Sequence, residues 1–215
     1  MTDMKQWMPV FLQNMQESFG ERLVCVGLQG SHGRGEETEQ SDIDVVVILD
    51  TLTLEDLNTY RTAVADIPAR DKLCGFVSGR EELAHWDGAE LFQFYYDTTA
   101  YFGSLDFILP RIGRAEIRRA IHMDACKIYH GCCHNYLHGR DVSVLRACYK
   151  SAFFILQAMY YLKTGMYISR KVDLLPKLTD VEHEILNTLL LEDMECQFDA
   201  CSERLLNWTS KLIQT

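Results

Sequence analysis

Residues 27–35 read Gly-Leu-Gln-Gly-Ser-His-Gly-Arg-Gly, and residues 41–47 read Ser-Asp-Ile-Asp-Val-Val-Val. Before the first stretch lies Leu23-Val24-Cys25-Val26-Gly27-Leu28, a short β-branched apolar run, and the second opens a run that is apolar from Val45 to Leu49. Runs of this kind are predicted to be strands buried on two faces. A strand that ends in Gly-Ser and turns into a glycine-rich segment exposes backbone N–H groups near a helix start, where they can hold phosphate oxygens. Asp42 and Asp44 are separated by one residue on a strand, so period-two alternation points both carboxylates to the same side of the sheet. Two like charges about 4 Å apart repel by about 4 kcal/mol at an effective dielectric near 20, and a divalent cation between them turns that repulsion into attraction. Oxygen-only ligands select a hard ion such as Mg²⁺, which takes substrate phosphates as further ligands. Either piece alone reads more simply as a tight turn with Ser31 as an N-cap, or as solvent-facing aspartates at a strand start. The order of strand, phosphate turn, short helical connection and carboxylate strand joins them into one constellation.

Working outward, Met4, Trp7, Met8, Phe11, Leu12, Met15 and Phe19 fall at helical steps and predict an amphipathic helix ending at Gly20. Residues 54–64 predict a helix, 72–77 a third strand, 81–86 a short helix and 90–96 a fourth strand, so strands alternate with helices up to about Pro110. From Ala115 onward the apolar residues recur at helical spacing, broken at Gly139, at 165–168 and around Pro176, and no strand is predicted. Phe153, Leu156, Met159, Tyr160 and Leu162 are the expected core positions there, with 186–191 continuing the pattern. The boundary falls at 110–113, giving an α/β domain over 1–110 and an all-helical bundle over 111–215.

The 215 residues are 47% apolar and 24% charged with only 4 prolines, the composition of a folded globular chain. A net charge of −10 argues against a surface built to wrap duplex nucleic acid. No window approaches the roughly 18 to 20 apolar residues that span a bilayer, and residues 1–17 carry charges and glutamines instead of a signal-peptide core, so the expected location is cytoplasmic, with no membrane partner. The eight cysteines are scattered and are expected to be reduced, mostly buried thiols.

The spacing of Gly30-Ser31 and Asp42-Ile43-Asp44 resembles the signature of the nucleotidyltransferase superfamily related to DNA polymerase β. The match covers residues 24–49 closely, including Arg34, Gly35 and Ser41, and the rest of 1–110 more loosely. The helical second half is similar to the carboxy-terminal bundle of small bacterial antibiotic nucleotidyltransferases of the kanamycin, streptomycin and lincosamide type. The resemblance implies a small mixed sheet followed by a helical bundle, with the active site in the cleft between them. It also implies transfer of a nucleoside monophosphate from a nucleoside triphosphate, ATP by preference, to an acceptor hydroxyl with release of pyrophosphate. Asp42 and Asp44 would then hold Mg²⁺, and Gly30 and Ser31 the outer phosphates. In-line displacement at phosphorus depends on positioning and charge neutralisation, which such a site supplies.

The family usually adds a third carboxylate from a later strand, as metal ligand or base. Asp97, at the end of Leu91-Phe92-Gln93-Phe94-Tyr95-Tyr96, is the choice, with Glu90, Asp87 and Asp106 as competitors. Lys150 stands on a mostly apolar helix and matches in position the lysine that reaches the triphosphate in the resembling enzymes; a snorkelling lysine is the plainer alternative. Arg34 is a second phosphate-contact candidate. The resemblance further suggests a homodimer and a small hydroxyl-bearing acceptor such as an aminoglycoside. A protein-adenylylating enzyme of antitoxin type and a non-catalytic nucleotide-sensing module are the alternatives. Nucleic acid is not an expected partner, because no basic stripe is visible.

His130, His134 and His138 share a helix face beside Cys132 and Cys133, but the second ligand pair of a structural zinc site is missing. Tyr95, Tyr96, Tyr101, Phe102, Tyr160, Tyr161 and Tyr167 are expected to be core or ring-stacking residues, and none is assigned to a base.

Overall fold

In the computed structural model, which describes residues 2–190 and 194–214, the two apolar runs form neighbouring antiparallel strands, β1 (Leu23–Leu28) and β2 (Ile43–Leu49). β3 (Leu73–Gly79) runs parallel to β2, and β4 (Thr99–Gly103) antiparallel to β1, so the order is β3-β2-β1-β4. The sheet is mixed, as the family resemblance implies. Packing divides the chain into two units, Met1–Ile112 and Gly113–Thr215.

In the first unit both sheet faces are covered. On one face α1 (Met4–Phe19) and α3 (Leu54–Ala63) pack on Val26, Leu28, Ile43, Val45, Val47 and Leu49, with Trp7, Met8, Phe11 and Met15 facing the strands. α1 starts at Asp3, whose carboxylate accepts from the Lys5 amide, and stops at Gly20, φ +53°. α3 is opened by a reciprocal cap in which Thr53 and Asp56 bond each other's amides, and Arg22 adds a 2.6 Å ion pair to Asp56. On the opposite face Cys25, Val46 and Ile48 meet Leu83 of α4 (Arg80–Ala84), Leu91 of α5 (Gly88–Asp97), and Leu105 and Ile108 of the segment that follows β4. The remaining helix, α2 (Gly30–Arg34), is a single turn at the end of β1.

One predicted element is of the other type. Residues 90–96 lie in helix α5, not in a strand, and the fourth strand is Thr99–Gly103. Phe94, Tyr95 and Tyr96 carry high strand propensity, but burial of Leu91 and Phe92 on the sheet and the cap at Asp87, which accepts from the Ala89 amide at 2.9 Å, decide the local structure.

The second unit contains α6 (Arg114–His134), a π-helical turn (Asn135–Gly139), α7 (Val142–Thr164), α8 (Lys171–Leu174), α9 (Asp180–Leu189) and α10 (Phe198–Ile213), with no strand among its described residues. Its core joins Ile128, Leu145, Tyr149, Phe153, Leu156, Leu186, Leu205 and Trp208. The buried Tyr149 hydroxyl donates to the Cys201 carbonyl at 2.8 Å. Of the expected core positions, Phe153 and Leu156 are buried and Met159, Tyr160 and Leu162 half-buried; Leu191 lies outside the described residues. All eight cysteines are free thiols, but only Cys25, Cys132 and Cys201 are buried; Cys74, Cys126 and Cys196 are exposed, against the expectation of mostly buried thiols. Among the described residues no helix is long and apolar enough to cross a membrane.

Candidate active site

The turn after β1 is built against Asp44. The Gln29 amide donates to the Asp44 carbonyl at 2.8 Å, which pins the turn to the start of β2. Gly30 has φ +66°, a left-handed conformation that disfavours any side chain, and a Cβ there would overlap Asp44 Oδ2. The space over that oxygen is therefore kept clear of protein by the identity of residue 30. Gly33 brings α2 close to its strand, since a Cβ would stand 2.8 Å from the Leu28 carbonyl oxygen. The Gln29 side chain donates to the Phe94 carbonyl at 3.0 Å and to Thr98 Oγ1 at 2.7 Å, fastening the turn to the end of α5.

Asp44 is half-buried and Asp42 exposed. Burial pushes the Asp44 carboxyl above its ordinary value, the negative charge of Asp42 pushes it further, and the Arg34 guanidinium opposes both. This is the unfavourable charge pair anticipated from the Asp-x-Asp spacing, and a hard cation relieves it. An all-oxygen donor pair beside a clearing that only glycine leaves open fits a Mg²⁺ ion carrying further ligands from a phosphate.

Asp97 is the last residue of α5, and Arg34 Nη1 donates to both of its carboxylate oxygens at 2.7 Å. The Gly30 amide donates to Asp97 Oδ2 at 3.1 Å. Arg34 also faces Glu36, with Nε 3.4 Å from Oε2. Burial raises the Asp97 carboxyl, while Arg34 and the Gly30 N–H work against that rise. Gly30, Ser31, Arg34, Asp42, Asp44 and Asp97 thus lie in one neighbourhood of the first unit. Lys150 is exposed on α7 of the second unit.

The competing acids have other surroundings. Asp87 caps α5, Asp106 accepts from the Tyr95 hydroxyl at 2.8 Å, and Glu90 is exposed in the first turn of α5. In the β2–β3 ladder the residue paired with Asp44 is Cys74. Among the described residues no three His, Cys, Asp or Glu side chains are placed to hold a metal ion together. His130, His134 and His138 form an exposed ladder, with ring centroids 6.3 Å and 4.9 Å apart in succession. Tyr95 and Tyr96 line a cavity of about 290 Å³ with Thr98, Ser104 and Asp106.

Three residues of this neighbourhood were not singled out from the sequence. His32 is 8% exposed, and its Nδ1 is buried without a hydrogen-bond partner among the described residues. Gln29 and Glu36 flank α2 and fasten it as described. All three lie within or next to the quoted glycine-rich stretch, but a five-residue helix has no periodicity from which to read which side chains turn inward.

Residues 10–86 match the family profile described as a nucleotidyltransferase domain, a span containing the turn, both aspartates and β3. Among solved structures, spectinomycin adenyltransferase AAD(9) from Enterococcus faecialis, determined with ATP and spectinomycin, superposes with a TM-score of 0.60 at 13% identity, covering 99% of this chain and 100% of that one. A nucleotidyltransferase-like protein from Exiguobacterium sibiricum 255-15 gives a TM-score of 0.35 at 13% identity, over 99% of this chain and 75% of that one. No curated protein matches the chain. The profile matched by residues 10–86 spans the Gly30-Ser31 turn and both aspartates, and the chain shares its fold with an adenyltransferase along its whole length.

Proposed function

We propose that the protein transfers AMP from ATP to a hydroxyl of a small cationic acceptor of the aminoglycoside class, with Mg²⁺ and release of pyrophosphate, in the cytoplasm. The observation that carries this reading is the close approach of Gly30 to the Asp44 carboxylate, which only a residue without a side chain allows, beside the charge pair that Asp44 makes with Asp42. The acceptor oxygen forms a bond to the α-phosphorus, the bond from that phosphorus to the bridging oxygen of the β-phosphate breaks, pyrophosphate leaves with the electron pair, and the hydroxyl proton passes to solvent. Asp42 and Asp44 would hold Mg²⁺, which when bound neutralises triphosphate charge. Gly30 lets the backbone approach the phosphates, and Ser31 offers its hydroxyl and amide to their oxygens. Lys150 is assigned to the triphosphate on the family resemblance alone.

The fold shared with an enzyme whose structure contains ATP and an antibiotic supports the choice of nucleotide and acceptor class, and the net charge of −10 suits a cationic acceptor. The test is pyrophosphate release from each of the four ribonucleoside triphosphates with Mg²⁺, with and without a panel of aminoglycosides, aminocyclitols and lincosamides, in wild type and Asp42→Asn. Stimulation by one acceptor that disappears in Asp42→Asn is the expected result. Silence across the panel with nucleotide still bound would overturn the acceptor assignment and direct the search to a protein acceptor or a sensing role.

A further inference from the structure

Two features of the first unit concern the number of carboxylates available to a metal ion. The first is the state of Asp97. Both of its oxygens accept from Arg34 at 2.7 Å, one also accepts from the Gly30 amide at 3.1 Å, and the side chains of Asp97 and Arg34 are only 9% and 10% exposed. A guanidinium held on both oxygens is among the stronger charge-assisted contacts in proteins, and breaking a desolvated pair leaves a buried charge uncompensated. For Asp97 to turn to a cation it would have to give up this pair and the amide that orients the turn.

The second feature is strand register. Among the described residues β3 is the only strand beside β2 on that side, its sequence Leu-Cys-Gly-Phe-Val-Ser-Gly carries no carboxylate, and the residue paired with Asp44 is the exposed Cys74. Paired residues of neighbouring strands stand about 4.8 Å apart and point to the same face. Residue 74 is therefore where β3 would present a further ligand to Asp44, and it is a thiol, a poor ligand for a hard cation.

We propose that Asp97 is a positioning residue, locking Arg34 and the Gly30 amide so that the phosphate turn keeps its shape, and that the metal site of the first unit is built from the two carboxylates Asp42 and Asp44. This rests on the nucleotidyltransferase reading above and specifies its site. Such a site binds its cation weakly on its own and tightly only when a triphosphate supplies the missing oxygens, so that metal and nucleotide bind with strong mutual dependence. Asp97 acts on the nucleotide side of that coupling, through the turn, and not on the metal side.

The experiment is Mn²⁺ binding to the full chain, followed by electron paramagnetic resonance with and without ATP, alongside ATP affinity at saturating Mn²⁺. Asp97→Asn is expected to keep Mn²⁺ affinity in the absence of nucleotide within about twofold of wild type, and to weaken ATP about tenfold, the scale of one lost charge-assisted contact. Arg34→Gln, which removes the positive charge paired with Asp97, is expected to show the same split and stands in if Asp97→Asn does not fold. Cys74→Asp, at an exposed position, is expected to tighten Mn²⁺ severalfold by adding a third carboxylate. Loss of Mn²⁺ binding in Asp97→Asn to the extent seen in Asp42→Asn, or no gain in Cys74→Asp, would overturn the two-carboxylate site. If Asp42→Asn itself leaves Mn²⁺ binding unchanged, the failure belongs to the nucleotidyltransferase reading of the site and not to the role of Asp97.

Discussion

Asp44 fixes the identity of residue 30: a methyl group on Gly30 would overlap the aspartate's Oδ2, and the glycine's φ of +66° disfavours any side chain at all. Gly30→Ala is therefore expected to displace the carboxylate or the turn. A left-handed non-glycine residue costs about 1–2 kcal/mol, so the fold should survive with a lowered melting temperature. Turnover should fall by at least a hundredfold, because the displaced group sits where positioning matters most. Pyrophosphate release and a thermal melt on the same preparation check both halves.

Asp44 is costly to ionise, because burial and Asp42 both raise its carboxyl above the value it has in the unfolded chain. A raised value means that the folded state binds the proton more tightly than the unfolded state; the associated stability is present at low pH and lost as pH rises through the raised value. Asp44→Asn removes this dependence. The variant should be more stable than metal-free wild type at pH 7 to 8, and the difference should vanish as pH falls below the ordinary carboxylate value of about 3.9. Mg²⁺ with ATP should raise the melting temperature of wild type and not of the variant. Melting curves across pH with EDTA or Mg²⁺ plus ATP decide this, and the variant should be inactive throughout.

Asp56 shows the opposite sign. The Arg22 guanidinium and the Thr53 hydroxyl hold its carboxyl well below the usual carboxylate range, and it closes the cap of α3. Its contribution to stability is present above the unfolded value and lost as pH falls through the depressed one. Asp56→Ala should cost about 1–2 kcal/mol at neutral pH, the range of a lost helix cap, and the gap to wild type should narrow below about pH 4. Urea denaturation at several pH values measures it, and KM for nucleotide should not move.

In the second unit the Tyr149 hydroxyl is fully buried and spends its hydrogen on the Cys201 carbonyl. Tyr149→Phe should lower stability by about 1 kcal/mol without changing the denaturant slope, since the ring still fills its place. A change in slope, or no loss at all, would show that this hydrogen bond does not tie α7 to α10.

The strand leading into Gly30 and the strand carrying Asp44 were legible because β-branched runs buried on two faces have no competing pattern, and the helical half because its apolar spacing is sustained over long segments. The fourth strand was not. Residues 90–96 present aromatic side chains that suit a strand, yet Asp87-Gly88-Ala89-Glu90 carries the Asp-x-x-Glu spacing of a helix start, and that cap settles the segment as α5. The true strand, Thr99–Gly103, is a short, mostly exposed edge that offers no alternating pattern to read. In the site, Asp44 follows from the strand pattern, whereas Asp42 stands one residue ahead of β2. Arg34 meeting Asp97 across 63 residues does not follow from that pattern, because it depends on where the end of α5 is carried relative to the turn after β1.

The central claim, transfer of a nucleoside monophosphate, is tested most directly by following two labels. ATP carrying phosphorus-32 at the α position, and separately at the γ position, is incubated with the protein, Mg²⁺ and the acceptor that stimulates pyrophosphate release. The expected result is α-label on the acceptor and γ-label in pyrophosphate, both absent in Asp42→Asn. Label from the γ position on the acceptor, or neither label transferred while ATP binds normally, would contradict nucleotidyl transfer by this site.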